Sequence, residues 1–339
     1  MSRTIRALTA LCGTAALFAV AACGTESDVP ESAGGSAQPD EGTECAGADG
    51  EYLIGMSQAN VAEPYRQQMD DDIEAAAAEV DQFEVVFADA AQDNAKQVAD
   101  VENFLTQGID LLIISPNEAA PLTAVVERAY NEGIPVIVLD RKIEGDSYTQ
   151  FIGADNTEIG RAAGEYVATE LLPDGGSVVE LKGLPGSTPA QERADGFRAG
   201  IAANPNIEII AEGVGDWLRE KGQSQFEAIL QAQQAIDVVY AHNDPMAEGA
   251  YLAAQAASRQ SEMSFIGIDA LPIPSGGIKA VEEGRLSATF VYPTGGKEAI
   301  ATAEEILVQC AEVDKEQILE TELITVENAA EIYARNATQ

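Results

Sequence analysis

LLIISPNEAAPL (111–122) is the stretch whose reading decides the architecture. An apolar, β-branched run ends in Ser115. Asn117 and Glu118 follow, and a helix-period segment comes next. The following apolar run, PVIVLD (135–140), ends in an aspartate. VVYAHNDPMAEG (238–249) repeats the order of strand, Asn, acid and helix, and the next run, MSFIGID (263–269), again ends in Asp. Two similarly wound lobes would explain this echo. The alternative is chance, since βα units look alike.

Around these units the same rhythm continues. YLIGMS (52–57), FEVVFA (83–88), GSVVELK (176–182), IEIIAEG (207–213), DVVYA (237–241) and LSATFVY (286–292) are further apolar runs. Fully apolar runs suit strands covered on both faces, as in parallel sheets. Between them lie helical segments. In Asn94–Gln107, Val98, Val101 and Leu105 recur at three and four residues, and Gly108 supplies the stop. The alternation predicts layered parallel α/β structure.

The length of 339 residues suggests about two domains. With 46% apolar residues, sizeable cores can form. The charge balance, 19 Lys+Arg against 57 Asp+Glu, gives a net −38 and excludes a nucleic-acid partner, which needs clustered cations. It also disfavours polyanionic substrates. The single histidine, His242, leaves little room for His-based metal sites or Ser-His-Asp chemistry, and reads as a strand-end residue. GLPGSTPA (183–190) lacks the GK[ST] ending of a phosphate loop, and no GxGxxG opens a helix. The expectation is therefore a binding protein, not an enzyme, without metal or cofactor.

At the start, Arg3 and Arg6 precede the apolar run Ala7–Val20. As a helix that run spans about 21 Å, short of a ~30 Å hydrocarbon core, so residues 1–22 read as a signal peptide. It ends in VAACG (20–24), which resembles the bacterial lipobox, with Cys23 as the lipidated residue. A lipid chain pair would anchor the protein to the cell membrane from outside. Residues 23–50, rich in Gly, Ser, Pro and acids, read as a disordered acidic tether. Cys45 and Cys310 remain, as a disulfide or as two inert thiols.

In open parallel sheets, ligands bind beyond the carboxyl ends of the strands. The residues there are Ser57-Gln58, Asp140-Arg141, Asn243-Asp244, Asp269 and Tyr292, with Asp216-Trp217 after the 207–213 run and Arg193 on the helix after Lys182. Arg forks can bridge adjacent hydroxyls, carboxylates accept hydroxyl protons, Asn does both, and Trp and Tyr offer flat faces to C–H surfaces. The set suits a neutral polyhydroxylated ligand. The plainer readings are a loop salt bridge for Asp140-Arg141 and a core aromatic for Trp217. Asp155-Asn156 reads as a crossover and helix cap.

The motifs IGMSQ (54–58), VIVLDR (136–141), GADN (153–156), VVELKGLPGSTPAQERADGF (178–197), GDWLREKG (215–222), VVYAHNDPMAEGA (238–250) and IGIDA (266–270) together resemble the periplasmic sugar-binding proteins of the ribose-binding type. These are the solute receptors of ABC importers. Within them the chain looks most similar to the galactofuranose-binding branch, and the resemblance covers nearly all of 52–333. It implies two doubly wound parallel-sheet lobes joined by a three-strand hinge, the periplasmic binding protein type I fold. The lobes would be 51–153 plus 294–316, and 154–293 plus 317–339, with crossovers near Ala154-Asp155, Tyr292-Pro293 and Glu316–Leu319. That division puts Cys45 and Cys310 beside the first lobe, which favours their pairing.

The resemblance implies a monosaccharide, pentose or hexose, held by Ser57, Gln58, Tyr65, Arg66, Asp140 and Arg141 from one lobe and by Arg193, Trp217, Asn243 and Asp269 from the other. Tyr292 falls at the hinge position where ribose binders carry Gln. SQANVAEPYR (57–66) is longer than the ribose pattern and matches the galactofuranose type, so a furanose becomes a candidate. The implied partner is an ABC permease, with the receptor a monomer. A sensor feeding a membrane kinase or chemoreceptor and a cyclic polyol ligand are the alternatives. A repressor of the related class would need an N-terminal helix-turn-helix, where this chain carries its signal and tether.

Overall fold

The computed structural model describes residues 47–336. Cys23, Cys45, the signal segment and all but the end of the expected tether lie outside the described residues.

The first parallel sheet is built from β1 (Tyr52–Gln58), β2 (Phe83–Asp89), β3 (Leu111–Ile114), β4 (Val136–Leu139) and β5 (Gln150–Ala154), interleaved with α1 (Pro64–Ala77), α2 (Asn94–Gln107) and α3 (Ala119–Asn131). After α4 (Asn156–Tyr166) comes the second set: β6 (Gly176–Lys182), α5 (Thr188–Ile201), β7 (Ile207–Val214), α6 (Arg219–Ala232), β8 (Val238–Ala241), α7 (Asp244–Ala256), β9 (Ser264–Ile266), α8 (Gly277–Glu282) and β10 (Ala288–Phe290). The chain ends with α9 (Gly296–Leu307), β11 (Glu316–Leu319), β12 (Leu323–Thr325) and α10 (Ala329–Asn336).

The strand orders are β11-β5-β4-β3-β1-β2 and β12-β10-β9-β8-β6-β7. All neighbours are parallel except β12, which runs antiparallel to β10. These are two α/β lobes with the same winding. β3 and β8 hold equivalent places, as do β4 and β9, so the echo between 111–140 and 238–269 reflects matching positions in two sheets. The central strands β3, β4 and β8 are buried throughout, which explains their unbroken apolar runs. Helix α2 has the bounds its periodicity predicts; the Asp93 carboxylate caps its start, and Gly108, at φ 77°, ends it in a left-handed turn.

The chain leaves the first sheet after Ala154, returns after Phe290, and crosses again beyond Leu319. This last crossing corrects the expectation of a crossover at Glu316–Leu319 with residue 317 opening the second lobe. Glu316–Leu319 pairs with Phe151–Ala154, because a further strand satisfies the free backbone edge of β5. β5 lies outside the runs read as strands: QFIGA begins with polar Gln150 and holds only two large apolar residues, Phe151 and Ile152, before its glycine. Cys310 is disulfide-bonded; Cys45, its expected partner, lies outside the described residues. Among the described residues, no helix is long and apolar enough to cross a membrane.

Candidate functional site

The carboxyl ends of both sheets meet at a narrow cavity lined by Glu63, Tyr65, Arg66, Asp140, Arg141, Pro189, Arg193, Trp217, Asn243, Asp269 and Tyr292. The cavity draws on both lobes and, through Tyr292, on the segment after β10 that joins them.

Asp140 organises the first-lobe wall. It follows β4 at φ 66°, a left-handed geometry that non-glycine residues rarely hold and that clusters at functional sites. Arg66, at the start of α1, donates from Nη2 to Asp140 Oδ2 at 2.5 Å and from Nη1 to Ser115 Oγ at 2.6 Å. Tyr292 Oη donates to Asp140 Oδ1 at 2.8 Å. Burial alone would raise the Asp140 pKa, but Arg66, Arg141 and the Tyr292 hydroxyl outweigh it and hold the carboxyl below its ordinary value. Arg141 donates to the Asn117 carbonyl at 3.1 Å; its Nε lies 3.7 Å from Asp140, too far for a hydrogen bond. Burial, then the like charge of Arg66, lowers the Arg141 pKa to about 10, which leaves it charged at neutral pH.

In the second lobe the turn Asp216-Trp217 is left-handed at both residues, φ 49° and 72°. It lays the buried indole between Arg141 and Arg193, whose guanidinium carbons lie 5.3 and 5.4 Å from the ring centroid. Gly183 is required beneath it, because a Cβ there would fall 2.2 Å from the indole. Arg193 also lies over the Tyr292 ring at 4.6 Å and donates from Nε to Asn156 Oδ1 at 2.8 Å and from Nη1 to the His242 carbonyl. Asn156 Nδ2 in turn donates to Tyr292 Oη at 3.2 Å. Tyr292 thus ties Asp140 of one lobe to Asn156 and Arg193 of the other. Asp269, after β9, has φ 132° and a pKa raised well above normal, by burial first and then by the charge of Asp244.

Buried polar atoms on this lining are left without hydrogen-bond partners among the described residues: Arg66 Nε, Arg141 Nε and Trp217 Nε1. Such donors are costly to bury unsatisfied. They mark places where an acceptor from a ligand would be stabilised.

The structure brings together Tyr65, Arg66, Asp140, Arg141, Arg193, Trp217, Asn243, Asp269 and Tyr292. It does not bring Ser57 and Gln58 to the cavity. Gln58 turns toward α1, donating to Asp70 Oδ1 at 2.8 Å, and lies 3.5 Å from Arg66 Nη1, so it supports Arg66 from behind; Ser57 is buried. Asn243 is a lining residue whose side chain is already committed. Its oxygen caps α7 through Met246 N and its amide holds the Trp217 carbonyl at 3.0 Å. Asp155 caps α4, as its position suggests, while Asn156 belongs to the site's support. Glu63 was missed; it is buried, accepts from Asn60 at 2.9 Å, and has its pKa raised by burial despite Arg66 and Arg141. His242 contacts Glu180 at 3.0 Å inside the second lobe and does not line the cavity. No group of His, Cys, Asp and Glu that could hold a metal occurs among the described residues.

Direct bonds hold the lobes together around this cavity. Ala119 N donates to the Gly186 carbonyl at 3.0 Å, Lys142 N to Thr188 Oγ1 at 3.0 Å, and Gln92 Nε2 to the Asp216 carbonyl at 3.1 Å.

Comparison with known proteins agrees with this architecture. The family model for the periplasmic binding protein domain matches residues 54–309. The ribose import binding protein of Bacillus subtilis is 31% identical over 259 residues, 76% of this chain and 82% of its own length. The fructose-binding periplasmic domain of a hybrid two-component system superposes with a TM-score of 0.82 at 43% identity, over 85% of this chain and 95% of that one. A protein from Mycobacterium smegmatis solved with β-D-fucofuranose gives 0.80 at 31% identity, over 85% of this chain and 95% of that one. With the family model spanning both lobes and the site between them, the chain belongs to the periplasmic binding protein domain family.

Proposed function

We propose that this protein is an extracytoplasmic receptor, anchored through a lipidated Cys23, that binds a monosaccharide between its lobes and delivers it unaltered to an ABC import permease. The observation that carries the sugar reading is the lining itself: forked cations, carboxyl groups and a flat indole, with unpartnered donors at Arg66 Nε, Arg141 Nε and Trp217 Nε1. Arg66, Arg141 and Arg193 would donate to ring and hydroxyl oxygens, Asp140 and Asp269 would accept hydroxyl protons, and Trp217 and Tyr65 would cover C–H faces. Each cation has a buried carboxylate or an aromatic face nearby, so the ligand need not carry charge. The relatives that bind ribose, fructose and fucofuranose support a pentose or hexose, and the last supports a furanose ring.

Binding would draw the lobes together by hinge bending and strengthen each hydrogen bond as water leaves. The closed face would then be what a permease meets. Titration calorimetry on refolded protein with D-ribose, D-fructose, L-arabinose, D-galactose and myo-inositol tests the reading. Heat is expected with at least one sugar, in the micromolar range that corresponds to about −8 kcal/mol. No heat with any of them overturns it.

A second reading is a sensor that presents the bound sugar to a membrane kinase, favoured by the similarity to the periplasmic domain of a two-component system. A strain lacking the protein separates the two. Loss of labelled-sugar uptake supports import, and unchanged uptake with lost transcriptional response supports sensing.

A further inference from the structure

Asp244 stands outside the cavity described above, yet it brackets the turn that carries Asp269. Its backbone N–H donates to the Ile268 carbonyl at 2.7 Å, and its Oδ2 accepts from Ala270 N–H at 2.8 Å. The residue between these two anchors is Asp269. Asp269 and Ala270 both hold positive φ, 132° and 49°. Such backbone persists only where its surroundings over-determine it. The remaining oxygen, Oδ1, accepts from Thr289 Oγ1 on β10 at 2.7 Å, so the bracket is fixed to the sheet. Space is reserved for it: a Cβ on Gly277 would fall 1.8 Å from Asp244 Oδ2. Asp244 is buried and lines a separate small pocket with Pro64, Arg219, Glu248 and Leu271; the two cavities share Asp269 as a wall.

We infer that Asp244 is a positioning residue for ligand recognition: its carboxylate clamps the 268–270 turn and thereby aims Asp269 into the cavity between the lobes. This rests on the sugar-binding reading only for its consequence on affinity; the clamp itself consists of bonds within the chain. The position needs a forked side chain that accepts from Ala270 N–H and bonds to Thr289 Oγ1 at once. Asn can still accept from Ala270 while its amide donates to the threonine hydroxyl, whereas Ala can do neither.

Two measurements test the inference on the full chain. Hydrogen exchange of peptides covering 266–272 needs no ligand. Asp244→Ala is expected to lose protection there by about tenfold or more, and Asp244→Asn to keep most of it. Unchanged protection in Asp244→Ala, with the fold intact by circular dichroism, overturns the clamp. The second measurement is calorimetric affinity for whichever of D-ribose, D-fructose or L-arabinose gives heat with the wild type. Asp244→Ala should weaken binding about tenfold or more, and Asn should recover most of the loss. The double variant Asp244→Ala/Asp269→Ala should bind no worse than Asp269→Ala alone, because both changes remove the same aimed carboxyl. Additive losses would assign Asp244 a separate structural effect and overturn the positioning role. If no sugar gives heat with the wild type, the sugar reading falls while the exchange result still decides the clamp.

Discussion

Arg66 and Asp140 meet at 2.5 Å with their side chains 3% and 4% exposed, one from the first turn of α1 and the other from the tip of β4. Breaking such a pair from one side leaves an uncompensated buried charge. Asp140→Ala also removes the partner of Tyr292 Oη. It should destabilise the unliganded protein by about 3–5 kcal/mol in urea denaturation and weaken sugar binding by about a hundredfold or more. A variant as stable as wild type would refute the electrostatic role given to Asp140.

Trp217 is the sole tryptophan of the chain and lies in the cavity wall between two guanidinium groups. Its emission should therefore shift or change in intensity when a sugar enters, without any label. Trp217→Phe should abolish the signal, and by losing area and the indole N–H should weaken binding about tenfold. A saturable fluorescence change that persists unaltered in the variant would contradict this placement.

The bonds that join the lobes directly should set how long the ligand stays. Thr188 accepts from Lys142 N across the cleft and lines no part of the cavity. Thr188→Val removes that acceptor at constant shape, and one lost hydrogen bond of about 1 kcal/mol should weaken affinity about fivefold, mostly through faster release. Stopped-flow fluorescence checks the rates; an unchanged off-rate would show that the bond does not contribute to closure.

The folded protein should be more stable at mildly acidic pH than at neutrality. Burial pushes Asp70 up to about 6 and Asp244 to about 7, and raises Glu63 and Asp269 as well. Groups with raised folded-state values stabilise fully below their unfolded pKa near 4 and lose that contribution as pH rises through the folded value. Urea denaturation should accordingly show stability falling between about pH 5 and 7.5, by on the order of a few kcal/mol. Asp140 acts oppositely. Its lowered value gives stability above the unfolded pKa that disappears in stronger acid as pH falls through the folded value. A flat or rising profile from pH 5 to 7.5 would be incompatible with these assignments, and Asp244→Asn should flatten part of the slope.

Much of this was legible in the residues. Apolar runs placed the central strands, because strands covered on both faces leave little room for polar side chains. The matched aspartates Asp140 and Asp269 were visible as the ends of equivalent runs. The direction of a side chain at a strand end was not visible. Ser57 and Gln58 follow the same pattern as Asp140-Arg141 but do not line the cavity, and nothing in the letters reports that Asp140 and Asp269 leave their strands at positive φ. Glu63 and Asn156 were hidden for a different reason. Each sits where a helix begins, and an acid or amide there reads first as a cap. Edge strand β11 is half exposed, and its four residues Glu316–Leu319 show neither an apolar run nor a polar-apolar alternation, so its pairing with β5 depends on contacts from distant sequence.

The left-handed residues at Asp140, Asp216, Trp217 and Asp269 have a practical consequence for anyone re-engineering the molecule as a biosensor. Glycine is the natural cure for such geometry, so a screen that rewards thermal robustness alone will drift toward glycine at these spots. It would recover sturdier proteins that have gone blind to their ligand, and selection should therefore score recognition and durability in the same round.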